Sequence, residues 1–527
     1  MFKKESNKEK VFLVLVFLLA FFPRIYNLGN DFHSIDSDRW FRRSVSFQDN
    51  LLKGDFKETY QKQHPGAILM WLGGFGYKIL TSSYLKIYGV GLDENIPDQF
   101  KLINFFLKFP LVIAIIFLTF ISFILVKKLL NKKVAYIYLT ILFLDPFLFF
   151  YTRQFHLDVL MSLFAINAVL SACLYFKESV NNTKYLIFSA IFSGLAFLTK
   201  TPSGAFILGI FLSIFTIYLI KFKNYKSVIR YNLIYGIFVF LVYILAFPAN
   251  WVNPIKTTKQ IIVDSINNTK QSNPLHLFDV VYWDIGSKYY ILTFLFRFSP
   301  IIVLTNLLIF IFKFKDLILK KLPLSKICES NYFYLPFIGY GILLSLLIYN
   351  TKNYERYLIP FTIPLTISSA ILINKLIKKT NLKENTFMII ALILLTFSSF
   401  SFIKNHPNYM TYKTLFISRD TQLNMFSEHS SCDANLSEIA DFLNKKEGGR
   451  KVFTVGFSGV YKVCLKPFIR ANVIPFENAK DPDYYILFKT DKELLYNPKI
   501  FSNYTLIKTF YISKTPVYYV YEKKNRD

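Results

Sequence analysis

The polar C-terminal region carries no nucleotide-binding glycine pattern, and no soluble nucleotide-sugar domain interrupts the rest of the 527 residues. Were the chain a transferase, its donor would be expected to be one the membrane itself presents on the outer face. Cysteine is sparse, with four residues. Cys173 falls in an apolar run and reads as a buried small hydrophobe. Cys432 and Cys464 lie in the C-terminal region, where compartment allows a disulfide but sequence does not give their separation. Acidic residues are scarce, 34 against 62 basic ones, leaving a formal net charge of +28. Finally, no small-residue cleavage site follows the basic-flanked apolar run 11–22, and Pro23-Arg24 interrupts it. That run is read as a retained span and not as a removed signal.

What is present is apolar. Hydrophobic residues make up 53% of the chain, and runs long enough to cross a bilayer recur from Val11 to Phe400; at close to 20 residues each they amount to about eleven spans. The lysines cluster in alternate short connections, such as Lys127, Lys128, Lys132 and Lys133, then Lys221, Lys223, Lys226 and Arg230. The intervening connections, near Arg153, Lys200 and Arg356, hold only isolated cations. This is the positive-inside asymmetry of a polytopic protein with a cytoplasmic N-terminus. The basic excess reports orientation, so no nucleic acid is expected as a partner. The expected architecture is an α-helical polytopic protein of the cell (plasma) membrane. Residues 1–404 form its multi-span domain, with outer loops at 26–103 and 249–290, and 405–527 form a small α/β domain outside the membrane.

The first outer loop most needs a chemical explanation. Asp31-Phe32-His33-Ser34-Ile35-Asp36-Ser37-Asp38-Arg39-Trp40 sets two carboxylates two residues apart beside Arg39, Arg42 and Arg43, and His64-Pro65-Gly66 follows. Such a loop either houses a catalytic base or is an ordinary solvated connection. Residues 44–52 and 67–80 read as short amphipathic helices lying along the membrane surface, separated by the turn Lys53-Gly54-Asp55.

Further landmarks sit at the outer ends of later spans. Asp145-Pro146 ends the third, where an aspartate before proline either stops a helix or serves a site. Asp158 heads the fourth, favoured there by the helix dipole, with Arg153 and His156 nearby. Lys200, in Leu198-Thr199-Lys200-Thr201-Pro202, either snorkels to headgroups or binds a lipid phosphate beside a helix N-terminus. Arg356 opens a helix in Glu355-Arg356-Tyr357-Leu358-Ile359-Pro360, suited either to phosphate or to a salt bridge with Glu355. Residues 250–290, with Trp251, His276, Asp279, Trp283 and Asp284, suit a lid, a carbohydrate platform or an interfacial belt. Beyond about residue 405, a helix at 436–446 stops at Gly448-Gly449. Five β-rich runs follow, at 451–457, 468–474, 483–489, 505–512 and 517–522.

The order of these landmarks resembles the GT-C superfamily of integral membrane glycosyltransferases, in particular the protein O-mannosyltransferases (dolichyl-phosphate-mannose-protein mannosyltransferase-like) and the lipid A aminoarabinose transferases. The resemblance is clearest over 35–74, 144–158, 194–202, 273–300 and 356–360. Asp36-Ser37-Asp38-Arg39-Trp40 and His64-Pro65-Gly66 with Trp71 look like the family's first-loop motifs. Ser37 stands where the family has Glu, so either Asp36 acts alone or Asp38 takes the second role. Leu198-Thr199-Lys200-Thr201-Pro202 is similar to its Lys-Gly-Pro stretch, and Arg356-Tyr357-Leu358-Ile359-Pro360 to its Arg-Tyr-Leu-Leu-Pro stretch. The resemblance implies inverting transfer of a sugar from a polyprenyl-phosphate donor to a hydroxyl of a protein, lipid or glycan. Asp36 would be the base, with Asp38 and Asp158 also catalytic candidates; Lys200, Arg356 and Tyr357 would bind the donor phosphate. His64, Trp40, His156 and Arg153 are the candidate acceptor-pocket residues. No cofactor is certain; Asp36 and Asp158 are candidate ligands of a divalent cation, a site that usually needs further oxygens. The competing classes are a transporter or flippase of lipid-linked saccharides, which predicts inverted repeats and mid-membrane charges not seen here, and a glycan polymerase or ligase.

Overall fold

In a hydrocarbon setting every backbone polar group must be satisfied within its own segment, and the apolar runs accordingly fold as helices. The computed structural model describes residues 7–31, 33–178, 182–269, 275–277, 280–282, 285–320, 332–348, 353–379, 409, 412, 436–448, 452–458, 462–489, 502–512 and 515–525. The last apolar run before Phe400, the expected domain boundary at 404–405, Cys432, Asp279, Trp283 and Asp284 lie outside them.

Helix α1 (Asn7–Ile25) leads to α2 (Ile35–Lys53) and α3 (Ala67–Tyr88). Helix α2 begins well before the expected residue 44, because Ser34 caps it: its hydroxyl accepts from the Ser37 backbone N–H at 3.0 Å. The stretch read as a loop around Asp36 is thus the first turn of a helix, where Asp36 and Asp38 also oppose the positive end of the dipole. Gly54, in the left-handed region, ends α2 at the expected turn. Helix α3 runs past the expected residue 80 and packs between α2 and the long α4 (Pro97–Leu129). The approach to α4 is close enough that a Cβ on Gly76 would lie 1.9 Å from the Phe106 carbonyl oxygen.

Next come α5 (Lys132–Leu144) and α6 (Pro146–Thr152), bent by 65° at Asp145. Asp145 is a cap: its Oδ1 accepts from the Leu148 N–H at 2.7 Å and its Oδ2 from the Ser299 N–H at 3.3 Å. Helix α7 (Asp158–Lys177) is buried between α4 and α8 (Thr183–Thr199), with Cys173 in its core. After α9 (Gly204–Thr216) and α10 (Tyr225–Leu245) come the short α11 (Ala249–Val252) and α12 (Pro254–Thr269). An unforeseen hairpin follows, β1 (Leu275–Leu277) with β2 (Val280–Tyr282). Helices α13 (Lys288–Arg297), α14 (Pro300–Lys320), α15 (Ile338–Ile348) and α16 (Ile359–Lys379) complete the described helical part up to residue 379. Among the described residues five helices are long and apolar enough to cross a membrane, six if α5 and α6 count as one span.

The C-terminal part packs α17 (Leu436–Lys446), with the boundaries expected from its spacing, and the short α18 (Lys462–Leu465) on a five-stranded mixed sheet. Its strands are β3 (Phe453–Phe457), β4 (Ala471–Pro475), β5 (Tyr484–Phe488), β6 (Tyr504–Ile512) and β7 (Thr515–Lys523), in the order β4-β3-β5-β7-β6. Strand β3 runs parallel to both neighbours and the remaining pairs are antiparallel. Cys464 is buried in this core. Phe100 at the head of α4 stacks edge-on against Phe468, joining the two parts.

Candidate active site

The site forms where four element ends meet: the first turn of α2 (Asp36), the first turn of α7 with the residue two before it (Asp158, His156), the residue closing α8 (Lys200), and the 3-10 turn Glu355–Leu358 that leads into α16 (Arg356, Tyr357). Lys200 has extended backbone angles where α8 gives way to the 3-10 turn Thr201–Ser203, and its ammonium meets Asp158 at the head of α7.

Arg356 Nη2 lies 3.0 Å from Asp36 Oδ2, and its Nε 3.7 Å from Asp158 Oδ2. Lys200 Nζ donates to Asp158 Oδ1 at 2.5 Å. His156 stands between the acids, its Nδ1 2.8 Å from Asp158 and its Nε2 3.6 Å from Asp36. The Tyr357 ring lies under Lys200, 4.8 Å from the ammonium, and Tyr354 under Arg356 at 4.2 Å. Two carboxylates thus face a lysine and an arginine. Asp158 and Lys200 are buried, whereas Asp36 and Arg356 keep 28% and 26% of their side chains exposed. Burial pushes the Asp36 carboxyl upward, but the charges of Arg356, His156 and Arg39 outweigh it and hold the group well below the usual carboxylate range.

In the structure both acids are engaged by nitrogen side chains. His156 and Arg356 already occupy the oxygens that face one another, and the described residues contain no group of three or more His, Cys, Asp or Glu able to hold a metal. A hard cation there would have to complete its shell with water or substrate oxygens, and no step below passes through one.

Other expected residues are placed differently. Asp38, two residues and so about 200° around the helix from Asp36, points away from Arg356 and toward buried His33 (3.5 Å) and Arg42 (3.7 Å). It lines a cavity of about 570 Å³ against Lys466, Arg470 and Asn472 of the C-terminal part. Arg153 is not in the pocket: it is buried, pairs with Asp31 at 2.8 Å and donates to the carbonyls of Pro23 and Tyr26, pinning the end of α1. Trp40 is a buried wall, stacked by Arg43 and pressed against Gly66. His64 borders the site, its Nδ1 2.9 Å from Thr201 Oγ1. Burial, with the charge of Lys200 adding to it, pushes its pKa down to about 3, so it is neutral. Glu355 does not pair with Arg356; it meets Arg297 at 3.1 Å, both fully buried, and so fixes the turn that aims Arg356. Nothing local in the sequence links Arg297 to Glu355, or Lys108 to Asp31, whose carbonyl it reaches at 3.2 Å.

Comparison with known proteins gives a match over part of the chain. Residues 103–251, which carry His156, Asp158 and Lys200, match the family model for dolichyl-phosphate-mannose-protein mannosyltransferases. The chain is similar to the GT-C glycosyltransferases, and five of its described helices are long and apolar enough to cross a membrane. Among solved structures, ArnT from Cupriavidus metallidurans bound to undecaprenyl phosphate is 10% identical over 97% of this chain and 98% of that one, at a TM-score of 0.47. The apo-form oligosaccharyltransferase of Archaeoglobus fulgidus is 11% identical over 92% and 70%, also at 0.47. No curated protein sequence matches the chain significantly.

Proposed function

We propose that the protein transfers a sugar from a polyprenyl-phosphate donor to an acceptor hydroxyl of a protein, lipid or glycan, with inversion. The observation that carries this reading is the 3.0 Å pair between Asp36 and Arg356, with Lys200 on the adjoining Asp158. An acid and two phosphate-binding cations from separate helix ends share one small volume.

In the reaction the acceptor oxygen forms a bond to the anomeric carbon as Asp36 takes its proton. The bond from that carbon to the phosphate oxygen breaks on the opposite face, and Lys200 and Arg356 stabilise the departing lipid phosphate. Asp158 holds Lys200 in place. A phosphate competes with Asp36 for Arg356, so donor binding frees the base. The exposed edge of Asp36 and Arg356 receives the acceptor, bounded by His156 and His64. The proposal extends to topology: about eleven spans in the cell membrane with residues 1–404 as the catalytic domain, a cytoplasmic N-terminus, and residues 405–527 outside.

The test is to incubate the purified protein in lipid nanodiscs with labelled polyprenyl-phosphate sugars and a panel of protein, lipid and glycan acceptors. Transfer should occur with inverted anomeric configuration and vanish in Asp36→Asn. Near-normal turnover of that variant, or a product of retained configuration, removes the mechanism.

A further inference from the structure

Helix α12 has two faces. Thr257 and Ile261 point inward, and Ile261 packs with Ala67, Leu198 and Phe247. Asp264, on the same side, accepts a hydrogen bond from Tyr60 Oη at 2.8 Å. Leu198 is two residues from Lys200, and Tyr60 belongs to the loop that carries His64, so this face covers the edge of the candidate site. The opposite face shows Ile255 (82% exposed), Ile262 (53%) and Ile266 (54%), with Lys259 exposed among them. Their spacing of four, three and four residues draws one stripe along the helix.

The outward stripe continues an exposed apolar surface on α10. Ile237, Phe240, Leu241 and Leu245 are exposed on α10, a helix long and apolar enough to span the bilayer. The apolar surface runs on through Trp251 and Val252 of α11 into α12. Trp251 donates its indole N–H to the Ile244 carbonyl at 2.8 Å, satisfying a carbonyl at the end of α10, while its ring stays partly outside. An amphipathic indole at the end of a span, followed by a helix with an apolar stripe and lysines able to snorkel, is the composition of a membrane–water boundary.

We propose that α11 and α12 lie in the leaflet next to the site and form the portal by which the prenyl chain of a lipid-linked donor reaches Lys200 and Arg356. The occupant of the outer stripe is thus phospholipid, and the packed inner face closes the edge of the site beside which the donor passes. The portal rests on the glycosyltransferase reading; the lipid contact does not.

Two measurements on the full chain in nanodiscs test it. In the first, the stripe is made polar with Ile255→Ser, Ile262→Ser and Ile266→Ser together, all on the exposed face, and donor KM is compared for a long-chain polyprenyl-phosphate sugar and a short-chain, water-soluble one. The long-chain KM should rise roughly tenfold while the short-chain KM moves less than about twofold, since only the former depends on seating at the bilayer surface. Equal changes for both donors, or none, overturn the portal. In the second, quenching of tryptophan fluorescence by lipids brominated near the headgroup is measured for wild type and Trp251→Phe. The difference should show Trp251 strongly quenched; an unquenched Trp251, or quenching lost on self-association of the protein, overturns the lipid contact and, in the latter case, points to a second copy. Quenching needs no turnover, so failure of the enzymatic reading, seen as no transfer from either donor by wild type, is separable.

Discussion

Replacing Asp36 by Asn should abolish transfer and at the same time make the protein bind lipid phosphate more tightly. Arg356 cannot give its guanidinium fully to a phosphate while it is held 3.0 Å from Asp36. At that distance the attraction is about 5.5 kcal/mol for an effective dielectric near 20. Solvent reaches both partners, 28% and 26% exposed, and desolvation opposes the rest, leaving roughly 1–2 kcal/mol net. Asn keeps the shape and removes the charge, so that energy no longer has to be given up on binding. The dissociation constant for a polyprenyl phosphate should fall by roughly 5–30-fold, while loss of the base lowers kcat by about 10²–10⁴. Titration of the two proteins in nanodiscs by calorimetry reads the first quantity, and labelled-sugar transfer the second. Equal or weaker lipid-phosphate binding by the Asn variant would refute the competition between Asp36 and phosphate for Arg356.

Lys200→Ala and Arg356→Ala should each raise donor KM by roughly 10–100-fold, the worth of a charge-assisted hydrogen bond; an unchanged donor KM in both would remove the phosphate assignment. Because the folded-state pKa of Asp36 is depressed, its charge and the stability of its ion pair are complete above the ordinary carboxylate range and lost only as pH falls through the lower folded value. The acid limb of kcat/KM should therefore lie below that range, and the limb of kcat, measured with the donor holding Arg356, should lie higher; coincident limbs in a pH–rate series count against it. His64, ordinarily near 6.5 and here pushed down to about 3, contributes stability that is present above about 6.5 and declines as pH falls toward about 3, a slope that His64→Gln should flatten in thermal unfolding. Gly66→Ala should cost about 2–4 kcal/mol of stability, read as a lowered Tm. Its φ is +60° and a new Cβ would lie 2.2 Å from the Trp40 ring.

Properties that depend on neighbours a few residues away could be read in the chain itself. Helix α17 starts and stops where its spacing and Gly448 place it, the five C-terminal strands follow their apolar runs, and Lys200 sits at a helix end two residues before Pro202. The cap of α2 was present as Ser34 three residues before Ser37, but the acids and arginines beside it read more naturally as a polar loop.

What tertiary structure alone decided is which charges meet. Asp36 and Asp38 are alike in sequence and opposed on the helix, and only the packing of α2 turns the first toward Arg356 and the second toward His33. Arg153 and Arg356 both stand at helix ends; one is consumed by Asp31 and two carbonyls, the other left facing an acid. Hydropathy and capping act along the chain, over a turn or a span, and so leave a local trace. A buried ion pair is set by which helices pack together, and that is a property of the whole fold with no signature near either residue.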